Sequence, residues 1–320
     1  MFFTPTVSII ALCYNHEKFI EASIQSVLKQ SYQAIELIIM DDCSTDDSRN
    51  KILAISQKHP SIKIIFNERN LGNCKSFNQA LKYAKGKYII DLATDDILLP
   101  ERVRKQVEAF ENATTDTGVV FSNLDFIDEN ATYLKTFYKA EQNVPSGDIY
   151  EALIRKSFIL PSSMMIKKEV FDELKGYDET LAYEDFDFWI RSSRNWKYKY
   201  LPEILTQQRI VSGSLSTKFI QKKNHLVPST VQVCKKILAL NRSASENKAL
   251  VERLHLVLRQ CVFSENFDAG NEVIELLQQL NGHNFLTYFF TILNTLKIPI
   301  NRLYLTYRLC LSIKNRLIKV

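Results

Sequence analysis

From Thr6 to about residue 123, short apolar runs alternate with segments whose apolar positions recur every three to four residues. Val7–Leu12, Ile35–Met40, Ile62–Phe66, Tyr88–Ile90 and Gly118–Phe121 have the length and continuity of buried strands. Between them, Ile20, Ile24, Val27 and Leu28 share one helical face, and so do Phe77, Leu81 and Ala84. Ile52 and Ile55 mark another helix behind a Ser44–Asp47 turn able to cap it, and Pro100 opens one carrying Val103, Val107 and Phe110. This alternation predicts an α/β fold with a mainly parallel sheet covered by helices on both faces. Residues 124–216 read as polar loops and two short helical runs, ending in strand-like Lys197–Leu201. Residues 225–282 carry helical signals and no strand signal, so an α-helical C-terminal region is expected. The expected division is 1–218 for the α/β domain and 219–320 for the helical one.

Parallel sheets bind their ligands at the carboxyl ends of the strands, so the residues just past each run are the ones to weigh for chemistry. The first run ends in Cys13-Tyr14-Asn15, the second in Asp41-Asp42, and the fourth in Asp91 followed by Thr94-Asp95-Asp96. Turn and capping chemistry explains any one of these pairs. Their recurrence on successive strand ends instead suggests carboxylates gathered around a cation, and oxygen-only ligands point to Mg²⁺ or Mn²⁺ bridging a diphosphate. No G-x-G-x-x-G or P-loop motif is present among the eight glycines, which argues against a dehydrogenase or P-loop enzyme. A second acidic cluster, Tyr183-Glu184-Asp185-Phe186-Asp187-Phe188-Trp189, interleaves carboxylates with aromatics. An amphipathic helix accounts for Phe186, Trp189 and Ile190 but leaves Glu184-Asp185 without a packing reason. An aspartate there suits a general base that deprotonates an acceptor.

These motifs resemble the inverting family 2 glycosyltransferases, nucleotide-diphospho-sugar transferases of GT-A fold. Val7–Asn15, Ser26–Ser31, Leu37–Asp46, Asn70-Leu-Gly72 with Asn78, Ala84–Ile89, Ala93-Thr-Asp-Asp96 with Pro100, Gly176–Glu179 and Glu184-Asp185 with Trp189 match the family's segments in order and spacing. The resemblance spans about residues 6–216 and is unspecific for substrate. It implies that Tyr14 and Asp42 bind the nucleotide base, that Asp95 contacts ribose or diphosphate, and that Asp96 holds the metal. It further implies Asp185 as catalytic base, with Glu184 and Trp189 on the acceptor side. Two positions depart from the family pattern: Ala93 replaces the usual first aspartate of the metal motif, and Val211 a frequent histidine, near Arg209 and Ser214.

The implied reaction moves a hexose or N-acetylhexosamine, from a UDP-sugar by expectation, to a hydroxyl of a glycan or lipid-linked acceptor, with bacterial surface polysaccharide as the setting. A catalytically inactive nucleotide-sugar-binding scaffold is the alternative. A nucleotidyltransferase would want a glycine-rich basic N-terminal loop, which is missing.

Charge adds one feature. The net surplus of +5 is mild, yet 284–320 holds Lys297, Arg302, Arg308, Lys314, Arg316 and Lys319 with no acidic residue. Interleaved with Phe285–Leu293 and Leu303–Leu311, this suggests peripheral contact with an anionic membrane, against the alternative of a helix packed on the protein's own core. Nucleic acid is not an expected partner, because no recognition motif accompanies the basic residues. Six scattered cysteines and the lack of a basic leader or a 20-residue apolar run lead to the expectation of a cytoplasmic protein, peripheral on the inner face of the membrane.

Overall fold

The computed structural model describes residues 6–211, 219 and 221–302. Its strands are β1 (Val7–Cys13), β2 (Ile35–Asp41), β3 (Lys63–Phe66), β4 (Tyr88–Ala93), β5 (Ile97–Leu98), β6 (Thr117–Ile127), β7 (Tyr133–Thr136), β8 (Met164–Lys167) and β9 (Lys197–Arg209). The α-helices are α1 (Ile20–Leu28), α2 (Ser48–Lys58), α3 (Asn73–Leu81), α4 (Arg102–Glu111), α5 (Tyr150–Arg155), α6 (Lys168–Leu174), α7 (Asp185–Ser192), α8 (Leu226–Leu240), α9 (Ala244–Phe263), α10 (Phe267–Gln279) and α11 (Phe285–Thr295). The chain divides into two compact units: 1–150, 158–180 and 187–211 form the first, and 151–157, 181–186 and 212–320 the second.

The first unit is built on one sheet in the order β3-β2-β1-β4-β8-β6-β9-β5, with β7 alongside β6. Its first four strands are parallel, as the apolar runs predict. Every residue of β1 is buried, because helices cover both faces of a central parallel strand. At the sheet's edge, β3 keeps Lys63 and Phe66 exposed, and a charged side chain discourages pairing with another chain.

The other half departs from simple alternation. β8, only four residues long, inserts antiparallel between β4 and β6, so the sheet is mixed. β6 runs six residues past Phe121, through Ser122-Asn123, where the sequence signals an end. Asn123 lies within the sheet because its side-chain amide pairs with the backbone of Tyr138 in both directions, at 3.0 Å each way. β9 continues past Pro202, which cannot donate to a ladder. The register slips there, from Ser122 opposite Leu201 to Asn123 opposite Ile204, and the ladder resumes.

The second unit is helical. α9 contacts α8, α10 and α11, burying Leu250, Leu254, Leu258 and Cys261 on one stripe. Ser243 caps α9 by accepting from the Glu246 N–H at 3.2 Å, and Asn284 caps α11 through the Thr287 N–H at 2.8 Å. Burial pushes the Cys234 thiol up to about 12 and the Cys261 thiol higher still, so neither is a reactive nucleophile. Among the described residues, no helix is long and apolar enough to cross a membrane.

Candidate active site

The loops after β1, β2 and β4 are tied to one another by side chains whose backbone partners lie across the sheet. Asn15, at φ 58°, donates its N–H to Ser44 Oγ at 2.9 Å and accepts the Thr45 N–H on Oδ1 at 2.8 Å. The His16 N–H reaches Ser48 Oγ at 3.0 Å. Its ring Nδ1 lies 2.8 Å from Thr94 Oγ1, which donates to the Leu12 carbonyl at 3.0 Å. Across the same junction the Glu17 N–H donates to Asp46 Oδ2 and the Asp47 N–H donates to Glu17 Oε2, both at 2.9 Å. His16 thus joins all three loops, a role sequence reasoning missed. The only signal for it was its place two residues past Tyr14.

Tyr14 projects from this junction, 45% exposed. Asp41 and Asp42 at the end of β2 face different tasks. Asp41 is fully buried and pairs with Arg49 at 2.7 Å, while its Oδ2 has no partner among the described residues. Asp42 Oδ1 accepts from Asn67 Nδ2 and the Leu71 N–H, and its Oδ2 accepts from the Gly72 N–H, all at 2.8 Å. Asp42 therefore braces the Asn70-Leu-Gly72 turn. Oδ2, holding one hydrogen bond, keeps capacity for a second donor.

Ala93, the last residue of β4, is exposed, and Asp96 in the turn beyond it is buried. Asp96 Oδ1 accepts the Arg209 N–H at 2.8 Å. The Arg209 guanidinium fixes the turn from the other side: Nε donates to the Asp95 carbonyl at 2.9 Å, and Nη1 donates to the carbonyls of Asp128 at 2.7 Å and Glu129 at 3.0 Å. It also stacks over Phe19 at 4.7 Å from the ring centroid. Burial, followed by the neighbouring Asp95 carboxylate, holds the Asp96 carboxyl well above the usual carboxylate range, with the Arg209 N–H and the charges of Arg102 and Arg209 opposing it. Arg102 is itself fully buried, donating to the carbonyls of Ser162 and Met164 and to Thr206 Oγ1. Burial pushes its guanidinium down to about 9.

Among the described residues there is no group of three metal-ligating side chains. A buried carboxylate crowded by a second is nevertheless what a divalent cation relieves. Mg²⁺ and Mn²⁺ suit one or two carboxylates completed by phosphate oxygens and water. The Asp95–Asp96 pair fits that donor set once a diphosphate is bound.

Replacing Arg209 with methionine leaves three carbonyls short of a donor, so a loss of about 2–4 kcal/mol in unfolding free energy is expected. Urea denaturation checks it, and a change within error would mean that these contacts add no net stability to the turn.

The second acidic cluster lies at the start of α7. In the second unit, Ser229 Oγ accepts the Ala182 N–H at 2.9 Å, and Tyr183 Oη lies 2.6 Å from Thr230 Oγ1. Arg253 stacks over Phe186 at 4.7 Å and donates to the carbonyls of Leu153 and Ile154. Glu184 and Asp185 are therefore presented by a segment held on α8 and α9. Burial, and secondarily Glu184, pushes the Asp185 carboxyl up to about 7.

Asp187 belongs to the first unit. It pairs with Arg191 at 2.6 Å, and Arg191 donates to the Leu174 and Gly176 carbonyls at 3.0 and 3.1 Å. Gly176, at φ 81°, has no room for a side chain, since an added Cβ would stand 2.4 Å from Asn78 Oδ1. That close approach lets Asn78 Oδ1 accept the Tyr177 N–H, and Asn78 Nδ2 donate to the Tyr177 carbonyl. Tyr177 Oη in turn reaches Asp91 at 3.1 Å.

Trp189 is not on an accessible face. It is 2% exposed, with its indole N–H directed to Met164 Sδ at 3.2 Å, so packing explains it. Val211 is half-buried, and Ser214 lies outside the described residues.

Residues 8–175 match the model of glycosyl transferase family 2. The chain belongs to that family. An uncharacterized glycosyltransferase of Methanocaldococcus jannaschii is 35% identical over 209 residues, 64% of this chain and 71% of that protein. A Bacillus subtilis protein named for teichuronic acid biosynthesis, TuaG, is 28% identical over 67% of this chain and 82% of its own length. In two longer Rickettsia glycosyltransferases the match spans only 31% and 36% of the relative. Among solved structures, S. aureus TarS residues 1–349 with UDP-GlcNAc superposes at a TM-score of 0.69, with 18% identity, 92% of this chain and 89% of that one covered. The mannosyltransferase PcManGT of Pyrobaculum calidifontis, solved with GDP-Man and Mn²⁺, gives 0.59 at 15% identity over 96% and 84%. These likenesses show the GT-A fold of this glycosyltransferase family.

Proposed function

We propose that this glycosyltransferase transfers a hexose or N-acetylhexosamine from a UDP-sugar to an acceptor hydroxyl with inversion, in assembly of a bacterial surface polysaccharide. The observation that carries the reading is the Asp95-Asp96 turn, locked by Arg209 beside loops that His16 ties together at the carboxyl ends of β1, β2 and β4. Tyr14 offers an exposed ring for the base to stack on, and the spare capacity of Asp42 Oδ2 suits a base N–H. Asp95 reaches ribose or diphosphate. Asp96, with Asp95 beside it, would hold Mg²⁺ or Mn²⁺, which when bound supplies positive charge against the departing diphosphate.

Asp185 takes the proton of the acceptor hydroxyl as its oxygen attacks the anomeric carbon and the bond to the diphosphate oxygen breaks. One displacement leaves no covalent intermediate and inverts the centre. A carboxyl held near 7 accepts that proton more readily than an ordinary aspartate, and it is still ionised at neutral pH in about half the molecules. Glu184 contributes to acceptor orientation through its charge beside Asp185. The resemblance to TuaG in sequence and to TarS in fold supports a glycan or lipid-linked acceptor and a UDP-sugar donor, and the PcManGT likeness makes GDP the nucleotide to test against it.

Calorimetric titration with UDP, GDP, CDP and dTDP, each with and without Mn²⁺, tests the donor site. Metal-dependent binding of UDP above the others is expected. Binding without turnover would favour the inactive nucleotide-sugar-binding scaffold, and binding of none by folded protein would sink the donor site itself.

A further inference from the structure

Among the described residues, the outer face of α11 is the largest run of exposed apolar side chains in the second unit. Phe285 is 92% exposed, Tyr288 58%, Phe289 51%, Ile292 56% and Leu296 65%. Their spacing of three and four residues puts them on one side of the helix, opposite Thr287, Phe290 and Asn294, which are buried. Leu286 flanks the same side at 51%. Exposing a contiguous row of this size to water is costly unless something covers it.

We propose that the outer face of α11 docks on an anionic lipid surface. Three observations favour that occupant. The face is aromatic and aliphatic without a charged residue among Phe285–Thr295, the composition of a helix seated at the headgroup boundary. Lys297 comes directly after it and is exposed, and all six charged residues of 284–320 are basic, which complements anionic headgroups. A second copy fits worse, because an isologous pairing would bring two basic sets together with no acid in 284–320 to answer them. At about 16 Å for its 11 residues, α11 is too short to cross a bilayer core of about 30 Å, so it lies on the surface. Residues 303–320, which carry four of those cations, lie outside the described residues, and the proposal uses only their charge.

Flotation of the 320-residue chain with vesicles of phosphatidylcholine, alone or mixed with phosphatidylglycerol, tests this without any reading of transfer activity. Binding to the anionic vesicles is expected, with little to the neutral ones and less at high salt. Phe285→Ser/Phe289→Ser should remove binding while leaving the circular dichroism and melting curve of the chain unchanged, since both side chains are exposed. Lys314→Gln/Arg316→Gln/Lys319→Gln, which keeps the apolar face, should weaken partitioning by about 100-fold, about fivefold for each cation. Three results would overturn the proposal. One is equal binding to neutral vesicles, and another is retention of binding by the folded double serine variant. The third is sedimentation showing a dimer that the serine variant dissociates, which would assign the face to a second copy.

Discussion

Asp185→Asn is expected to lower kcat by about 10³-fold, within the range of about 10²–10⁴ that a general base contributes, and to leave the donor dissociation constant unchanged. Asparagine keeps the shape and one acceptor oxygen of the side chain but cannot take the acceptor's proton. The pH dependence comes from the same carboxyl. Burial and Glu184 raise it to about 7, and only the ionised form serves as base. The rate should therefore be level above about pH 7 and fall about tenfold per unit below it. Glu184→Gln removes the second of the two causes, so it should move that break to lower pH. Stability has the opposite tendency. The unfolded carboxyl titrates near about 3.9, so between about 4 and 7 the folded chain holds a proton that the unfolded chain has released, and stability falls as pH rises through that window. The asparagine variant escapes this cost and should melt higher than the parent above about pH 7. A pH–rate profile at saturating donor, paired with melting curves, reads both effects. Near-normal kcat in Asp185→Asn would move the base to another residue.

Asp96→Ala is expected to weaken Mn²⁺-dependent binding of the nucleoside diphosphate by about 100-fold or more. Loss of a mere supporting partner of a metal ligand already costs about 10–100-fold, and here the ligand itself goes. Binding measured in the presence of a chelator should change far less, since Tyr14 and the Asp42 turn are untouched. That split separates a ligand from a residue that only shapes the loop. Asp96 also accepts the Arg209 N–H, so the variant's circular dichroism must match the parent before the comparison counts. Equal Mn²⁺-dependent affinity in the two proteins would remove Asp96 from the metal site. Asp95 would then be left as the only carboxylate of that turn.

The parallel half of the sheet was legible because its buried strands are short, mostly apolar runs and the helices between them show their period. The acidic termini were legible for the same reason: once β1, β2 and β4 are located, their carboxyl ends are located too. β8 was not, since Met164–Lys167 is four residues among loops and gains its partners only from β4 and β6. The strand-like runs stop at Phe121 and Leu201, yet a side-chain amide and a register slip carry the strands past Ser122-Asn123 and Pro202. Trp189 was assigned to the acceptor side by motif, and its burial against Met164 could be seen only once α7 was packed.

What the sequence by itself determined is therefore local and periodic: the alternating elements, the acids at the strand ends, and a family signature that spans the first two-thirds of the chain. What only the tertiary structure decided is which distant groups meet. Arg209 lies more than 110 residues from the Asp95-Asp96 turn it holds, and His16 lies 78 residues from Thr94. Ser229 and Thr230 of α8 grip the residues just before Glu184-Asp185. No periodicity encodes such pairings, because a hydrogen bond between separated loops depends on where the whole sheet or helix stack delivers their ends. The raised carboxyls of Asp96 and Asp185 result from that delivery, since burial is a property of the packed chain and not of the residue.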